Sequence, residues 1–133
     1  DKLDAGYTTL KMKIGAIDFN TELDILEGIR KHYGSSELEL RVDANGAFSK
    51  EDALPKLEQL AAFGIHSIEQ PVKAGQWELM ADLCKVSPIP IALDEELIGI
   101  LDAAQKITLL KTIEPQFIIL KPSLIGGFFG SKE

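Results

Sequence analysis

The chain has 133 residues, 45% of them hydrophobic and 26% charged, with a formal net charge of −7. That length suits one compact unit and that apolar share excludes wholesale disorder, while 21 Asp+Glu against 14 Lys+Arg argue against a general nucleic-acid binder. No run approaches the roughly 20 uncharged apolar residues of a membrane span, and the single cysteine, Cys84, excludes an internal disulfide framework and fits a reducing cytoplasm.

At the N-terminus, Asp1-Lys2-Leu3-Asp4 carries no apolar leader segment, and the absence of an initiating Met points to residues upstream. Tyr7 to Ile14 alternates, with Leu10, Met12 and Ile14 on one face and Thr9, Lys11 and Lys13 on the other, and predicts a strand. Phe19 to Tyr33 predicts a helix, with Leu23, Leu26, Ile29 and Tyr33 at three- and four-residue spacing and Gly34 as a C′ stop. Leu38 to Asp43 alternates again. Ser49 reads as an N-cap before the acidic pair Glu51-Asp52, and its helix carries Leu54, Leu57, Leu60 and Ala61 and ends at Gly64. Pro55 holds back the regular part of that helix until near itself. Ile65 to Glu69 predicts a third strand, and Gln76 to Val86 a helix with Trp77, Met80, Leu83 and Cys84 as its apolar stripe. Ile89 to Asp94 follows as a fourth strand, then a helix between Ile100 and Lys111, and Phe117 to Lys121 as a fifth strand before the turn Ile125-Gly126-Gly127. Such alternation with short loops predicts an α/β fold of parallel βα repeats, since parallel strands need crossover connections. No linker or low-complexity tract divides it.

Each predicted strand finishes on a charged residue: Lys13, Asp43, Glu69, Asp94 and Lys121, spaced 25 to 30 residues apart, one βα unit each. Parallel βα folds place their active sites at the C-terminal ends of strands, so these five side chains can converge. Three carboxylates with no Cys or His near them suit a hard cation, Mg²⁺ more than Zn²⁺, which would also relieve their mutual repulsion. Flanking lysines suit proton transfer, because nearby positive charge lowers a lysine's pKa. The chemistry suggested is abstraction of a proton next to a carboxylate, with the metal stabilising the enediolate. On spacing alone, five solvated loop residues remain an equal alternative.

The runs Lys11-Met12-Lys13, Arg41-Val42-Asp43-Ala44-Asn45-Gly46, Ile68-Glu69-Gln70-Pro71, Ala92-Leu93-Asp94-Glu95 and Leu120-Lys121-Pro122 resemble the enolase superfamily, and within it the muconate-lactonizing-enzyme-like subgroup. The resemblance covers nearly the whole chain, every motif in order. It implies strands two to six of a (β/α)7β TIM-like barrel, so residues 1–133 would be part of a C-terminal catalytic domain, without its N-terminal capping domain and remaining strands. It also implies Asp43, Glu69 and Asp94 as ligands of Mg²⁺, with Mn²⁺ as the alternative cation. Lys13 and Lys121 would face each other across a small carboxylate substrate, Lys11 would add positive charge, and Asn45 would make an outer contact to the metal or its water. The segment from Ile118 to Gly127 is similar to a dehydratase branch of the subgroup, with racemases and epimerases as rivals. A segment alone would be catalytically silent and would expose sheet edges open to self-association.

The remaining conspicuous residues read more plainly. Cys84 lies on an apolar helix stripe and Trp77 packs under a helix, both as core. His32 sits at a helix end, compensating its dipole, and His66 begins a strand, far from the mouth. Arg41 shares the strand face of Asp43 as a buried charge partner. Glu95 and Glu96 either support Asp94 or are solvated.

Overall fold

The computed structural model describes residues 5–132, so the Asp1-Lys2-Leu3-Asp4 run lies outside the described residues. Strands β1 (Thr9–Lys13), β2 (Glu39–Asp43), β3 (Ile65–Glu69), β4 (Ile91–Leu93) and β5 (Phe117–Ile118) alternate with helices α1 (Phe19–His32), α2 (Ala53–Ala61), α3 (Trp77–Val86) and α4 (Ala103–Ile113). A short helix, α5 (Gly127–Gly130), closes the described chain, and 3₁₀ turns follow β4 and β5 at Glu95–Leu97 and Pro122–Leu124. All strand pairs are parallel and stand in sequence order β1-β2-β3-β4-β5, leaving β1 and β5 as the edges.

Sequential order has a consequence. Crossovers between parallel strands share one hand, so strands laid down in order place every helix on the same side of the sheet. The alternate residues Leu40, Val42, Ile68, Ile91 and Leu93 are buried beneath those helices with Leu26, Leu57, Leu60, Met80, Leu109 and Ile113. The other face carries Lys11 and Lys13 on β1, Arg41 and Asp43 on β2, and Ser67 and Glu69 on β3.

Several boundaries differ from the sequence reading, for local reasons. Tyr33, in an extended conformation (φ −132°, ψ 116°), ends α1, and Gly34 instead donates its N–H to Glu37. Pro55 is the third residue of α2, where a helix needs no N–H partner, so the helix starts before it. Ser49 is not the N-cap of α2: that position is Asp52, without a side-chain cap bond, and Ser49 instead closes the turn before the helix with Asp52, each backbone N–H donating to the other's side chain, at 2.7 Å and 3.2 Å. The fourth strand shrinks to Ile91–Leu93 and the fifth to Phe117–Ile118, because the partner ladder is short and Pro122 turns the chain away.

Candidate active site

The register of the ladder builds the first half of the site. Lys13 lies opposite Asp43, and Asp43 opposite Glu69, so three successive strands present three charged side chains in one row on the same face. Asp94 and Lys121 extend the row from the residues just past β4 and past β5. The carboxylates are far from water: Asp43, Glu69 and Asp94 are 2%, 6% and 2% exposed. Buried carboxylates need opposite charge or donors, and lysines supply it. Lys11 Nζ lies 3.0 Å from Glu69 Oε2 and 3.3 Å from Asp43 Oδ2. Lys13 Nζ donates to Asp43 Oδ2 at 3.1 Å, and Lys121 Nζ donates to Asp94 Oδ2.

Asn45 ties the row together. Its backbone is left-handed (φ 46°), a conformation asparagine adopts more readily than most residues. Its N–H donates to Asp43 Oδ1 at 3.1 Å, its Oδ1 accepts from Lys13 Nζ at 2.6 Å, and its Nδ2 donates to Glu95 Oε1 at 2.8 Å. The chain Lys13–Asn45–Glu95 thus runs from the end of β1 to the turn after β4.

Charge follows from this packing. Burial pushes the Glu69 carboxyl up, reinforced by the Asp43 and Asp94 carboxylates beside it and opposed by Lys11. Burial works to lower Lys11, but Glu69 and Asp43 outweigh it and hold the ammonium above its ordinary value. The hydrogen bond to Asp94 raises Lys121, against the lowering by burial and with the Asp94, Glu95 and Glu69 charges adding to the rise. Carboxylate neighbours, rather than positive ones, therefore set both lysines in this arrangement. For Lys121 that is the opposite of the lowering expected from the sequence.

Among the described residues, no three His, Cys, Asp or Glu side chains stand as a group that could hold a metal ion as they are. The lysine ammoniums neutralise the carboxylates instead. The donor chemistry nevertheless fits a hard divalent cation: the three acids are oxygen donors on adjacent strand ends, and buried Asp94 Oδ1 has no hydrogen-bond partner. Below the row, a cavity of about 150 Å³ is lined by Lys11, Arg41, Ser67, Glu69, Ala92 and Ile119. A larger groove of about 650 Å³, lined by Lys50, Trp77, Asp82 and Thr112 among others, lies on the helical side and contains none of the strand-end residues.

Other expected residues fall elsewhere. Arg41 is half-buried and turns to Glu39, two residues back on the same strand face, at 2.7 Å, so it is not a fully buried partner of Asp43. His32 Nδ1 lies 2.8 Å from the Gly28 carbonyl within its own helix, and His66 stacks on Phe117. Cys84 is buried, and burial pushes its thiol up to about 11. Glu96 is buried rather than solvated: its carboxylate accepts from the Gly75 N–H at 2.9 Å and from Trp77 Nε1 at 3.1 Å, holding the loop before α3. Sequence reasoning missed Glu22, whose Oε1 accepts from the Gly15 N–H at 2.6 Å and anchors the turn after Lys13. An acidic residue in a first helical turn looks like ordinary dipole compensation, and only its burial distinguishes it. Gly15 itself (φ +88°) allows no side chain, since a Cβ there would stand 2.3 Å from that of Ala47.

No helix among the described residues is long and apolar enough to cross a membrane. A family model described as "Enolase C-terminal domain-like" matches residues 1–133. The chain is 58% identical over 127 residues to o-succinylbenzoate synthase of Desulfotalea psychrophila, covering 96% of this chain and 34% of the relative. It is 33% identical over 130 residues to N-succinylamino acid racemase of an Amycolatopsis species, covering 98% of this chain and 33% of that one. The crystal structure of MenC from Desulfotalea psychrophila superposes with a TM-score of 0.91 at 53% identity, over 98% of this chain and 36% of that one. The chain therefore spans about a third of the length of the curated relatives it matches. Its five parallel strands with one-sided helices are the arrangement of a TIM-like barrel segment, and with a family model matched along its whole length the chain belongs to the enolase superfamily, in the enolase C-terminal domain-like family.

Proposed function

We propose that this chain is the catalytic middle of a carbon–oxygen lyase of the o-succinylbenzoate synthase type, acting within a protein of the relatives' full length. The reaction is dehydration of a cyclohexadiene carboxylate to aromatic o-succinylbenzoate, a cytoplasmic step towards menaquinone. What carries the reading is the row of strand-end side chains joined by ion pairs: Lys11 and Lys13 on Asp43 and Glu69, and Lys121 on Asp94. Higher identity to the synthase than to the racemase favours dehydration.

Asp43, Glu69 and Asp94 would hold Mg²⁺ or Mn²⁺. When bound, the cation supplies a fixed positive charge against which negative charge on the substrate carboxylate can develop. With the three carboxylates engaged in holding that cation, Lys13 would be released from Asp43 and its amine left to act as a base. Lys13 Nζ then takes the proton α to the substrate carboxylate, with Asn45 Oδ1 orienting it from one side. Lys121 stays protonated across the site and stabilises the developing charge. The carbon–oxygen bond of the departing hydroxyl breaks next, the Lys13 ammonium returns its proton to that oxygen, and water leaves as the ring becomes aromatic.

The two-lysine geometry also favours a second reading in the same superfamily. A racemase or dipeptide epimerase uses one lysine to remove the α-proton and the opposite one to deliver a proton to the other face. The test assays the 133-residue chain, and any longer protein that contains it, on the cyclohexadiene substrate and on N-succinyl amino acids, with and without Mg²⁺. Dehydration that requires the metal supports the synthase. Racemisation without dehydration moves the assignment to the racemase, and turnover by a longer protein alone marks the isolated segment as silent. Among the described residues β1 and β5 are the edges of the sheet, and they suit strand pairing between copies of this segment, which sedimentation over a range of chain concentrations reads directly.

A further inference from the structure

Gln70 follows Glu69, is fully buried, and has a left-handed backbone at φ 42°. For a residue with a side chain that conformation is disfavoured, so the surroundings must hold it there. They do so through every polar group Gln70 has. Its backbone N–H donates to the Ala92 carbonyl at 2.9 Å, and its carbonyl accepts from the Gly46 N–H at 2.7 Å. Its Oε1 accepts from the Asp94 N–H at 3.2 Å and the Glu96 N–H at 3.4 Å, and its Nε2 donates to the Val72 carbonyl at 3.0 Å.

These partners lie close to each of the three carboxylates. Gly46 comes three residues after Asp43, Glu69 is the preceding residue, and Asp94 is bonded directly. The ladder by itself cannot place Asp94, because β4 ends at Leu93 and its pairing with β3 stops at Glu69–Ala92. Past that point Asp94 has a backbone of φ −127°, ψ −75°, neither strand nor helix. The Gln70 amide holds its backbone N–H there, while Lys121 holds its carboxylate from the other side.

The geometry points to Gln70 as the positioning residue that sets Asp94 against Glu69 and Asp43, so that the three carboxylates share one divalent cation. Gln70 touches no cation itself, since both polar atoms of its side chain are occupied by backbone groups. The inference rests on the metal reading of the proposed function and deepens it.

The test is Gln70→Asn. Asparagine tolerates the left-handed backbone but is one methylene too short to reach the Asp94 N–H. Mg²⁺ binding is followed by titration calorimetry and Mn²⁺ binding by electron paramagnetic resonance. Leu60→Ala, a core change in α2 remote from the strand ends, controls for lost stability. Wild type and Leu60→Ala are expected to bind alike, and Gln70→Asn at least about tenfold more weakly, the usual loss when an outer partner of a metal ligand is removed. Wild-type affinity in Gln70→Asn would overturn the role of Gln70 while leaving the metal reading intact. No divalent binding by wild type would overturn both. Should Gln70→Asn fail to fold, hydrogen exchange on the wild-type protein decides: slow exchange of the Asp94 and Glu96 amides before metal is added supports the tether, and free exchange at both overturns it.

Discussion

Leu40 and Arg41 are neighbours on β2, yet one is sealed beneath helices and the other is half-open to solvent. The same contrast runs through the whole sheet. On the helical face, Leu40, Val42, Ile68, Ile91 and Leu93 contribute burial that needs no partner and no particular charge state. On the other face, Asp43, Glu69 and Asp94 are just as hidden but depend on lysines from neighbouring strands. Stability and chemistry are thus carried by alternate residues of the same strands. Changes on one face should leave the property of the other largely untouched.

The largest expected effect tests the open face. In a longer protein that contains this chain and carries out the proposed dehydration, Lys13→Ala should lower turnover by about 10²–10⁴-fold, the range for a lost general base, while the thermal midpoint stays near that of wild type. Turnover within threefold of wild type would remove Lys13 from the base role. Next comes the helical face: Leu40→Ala should cost about 2–5 kcal/mol in denaturant unfolding, with little change in Mg²⁺ affinity. A loss below about 1 kcal/mol would mean that the apolar face is not the stabilising one.

A smaller effect comes from the turn before α2. Burial works to raise Asp52, but its hydrogen bonds with Lys56 and Ser49 and the Lys56 charge together hold it below its ordinary 3.8. A carboxyl depressed in the folded state adds stability that is complete above its unfolded value and is lost as pH falls through its lower folded value. Asp52→Asn should therefore flatten the acid limb of the stability curve below pH 3.8, and an unchanged limb there would count against the Lys56 and Ser49 contacts as its cause. Ser49→Ala, which removes the turn bond to the Asp52 N–H, should cost about 0.5–1.5 kcal/mol at neutral pH, read from the denaturant midpoint. The smallest effect belongs to Arg41→Ala. Its partly exposed pair with Glu39 is worth about 0–1 kcal/mol, and salt titration of the unfolding midpoint should show little difference from wild type.

Much of this division can be read from the sequence, because alternation assigns each strand residue to a face before any pairing is known. Lys13, Asp43 and Glu69 needed only that parity and the length of one βα unit to be aligned. Asp94 and Lys121 needed more, since both stand beyond their ladders and are held by a side-chain amide and a turn at Pro122. Gln70 gave no sign of its role: a glutamine beside an acidic residue looks like any polar loop position until its burial is seen. Arg41 misled for an instructive reason. Its strand face was right, but Glu39, two residues away on that same face, is a closer partner than the carboxylate at the strand end. The raised lysines were equally hidden, because they depend on which charge lies within 3–4 Å and not on the order of motifs.

The contact between Gly15 and Ala47 bears on how such a sequence can change over generations. Position 15 follows the proposed base by two residues, and position 47 follows the first carboxylate by four. Only hydrogen fits at 15 while 47 keeps its methyl group, and the φ of +88° disfavours any other residue at 15 even if 47 becomes glycine. Packing therefore constrains positions 15 and 47 as a matched pair. A lineage that altered the substrate through either turn would have to do so by changing residues around this point of contact, not the point itself.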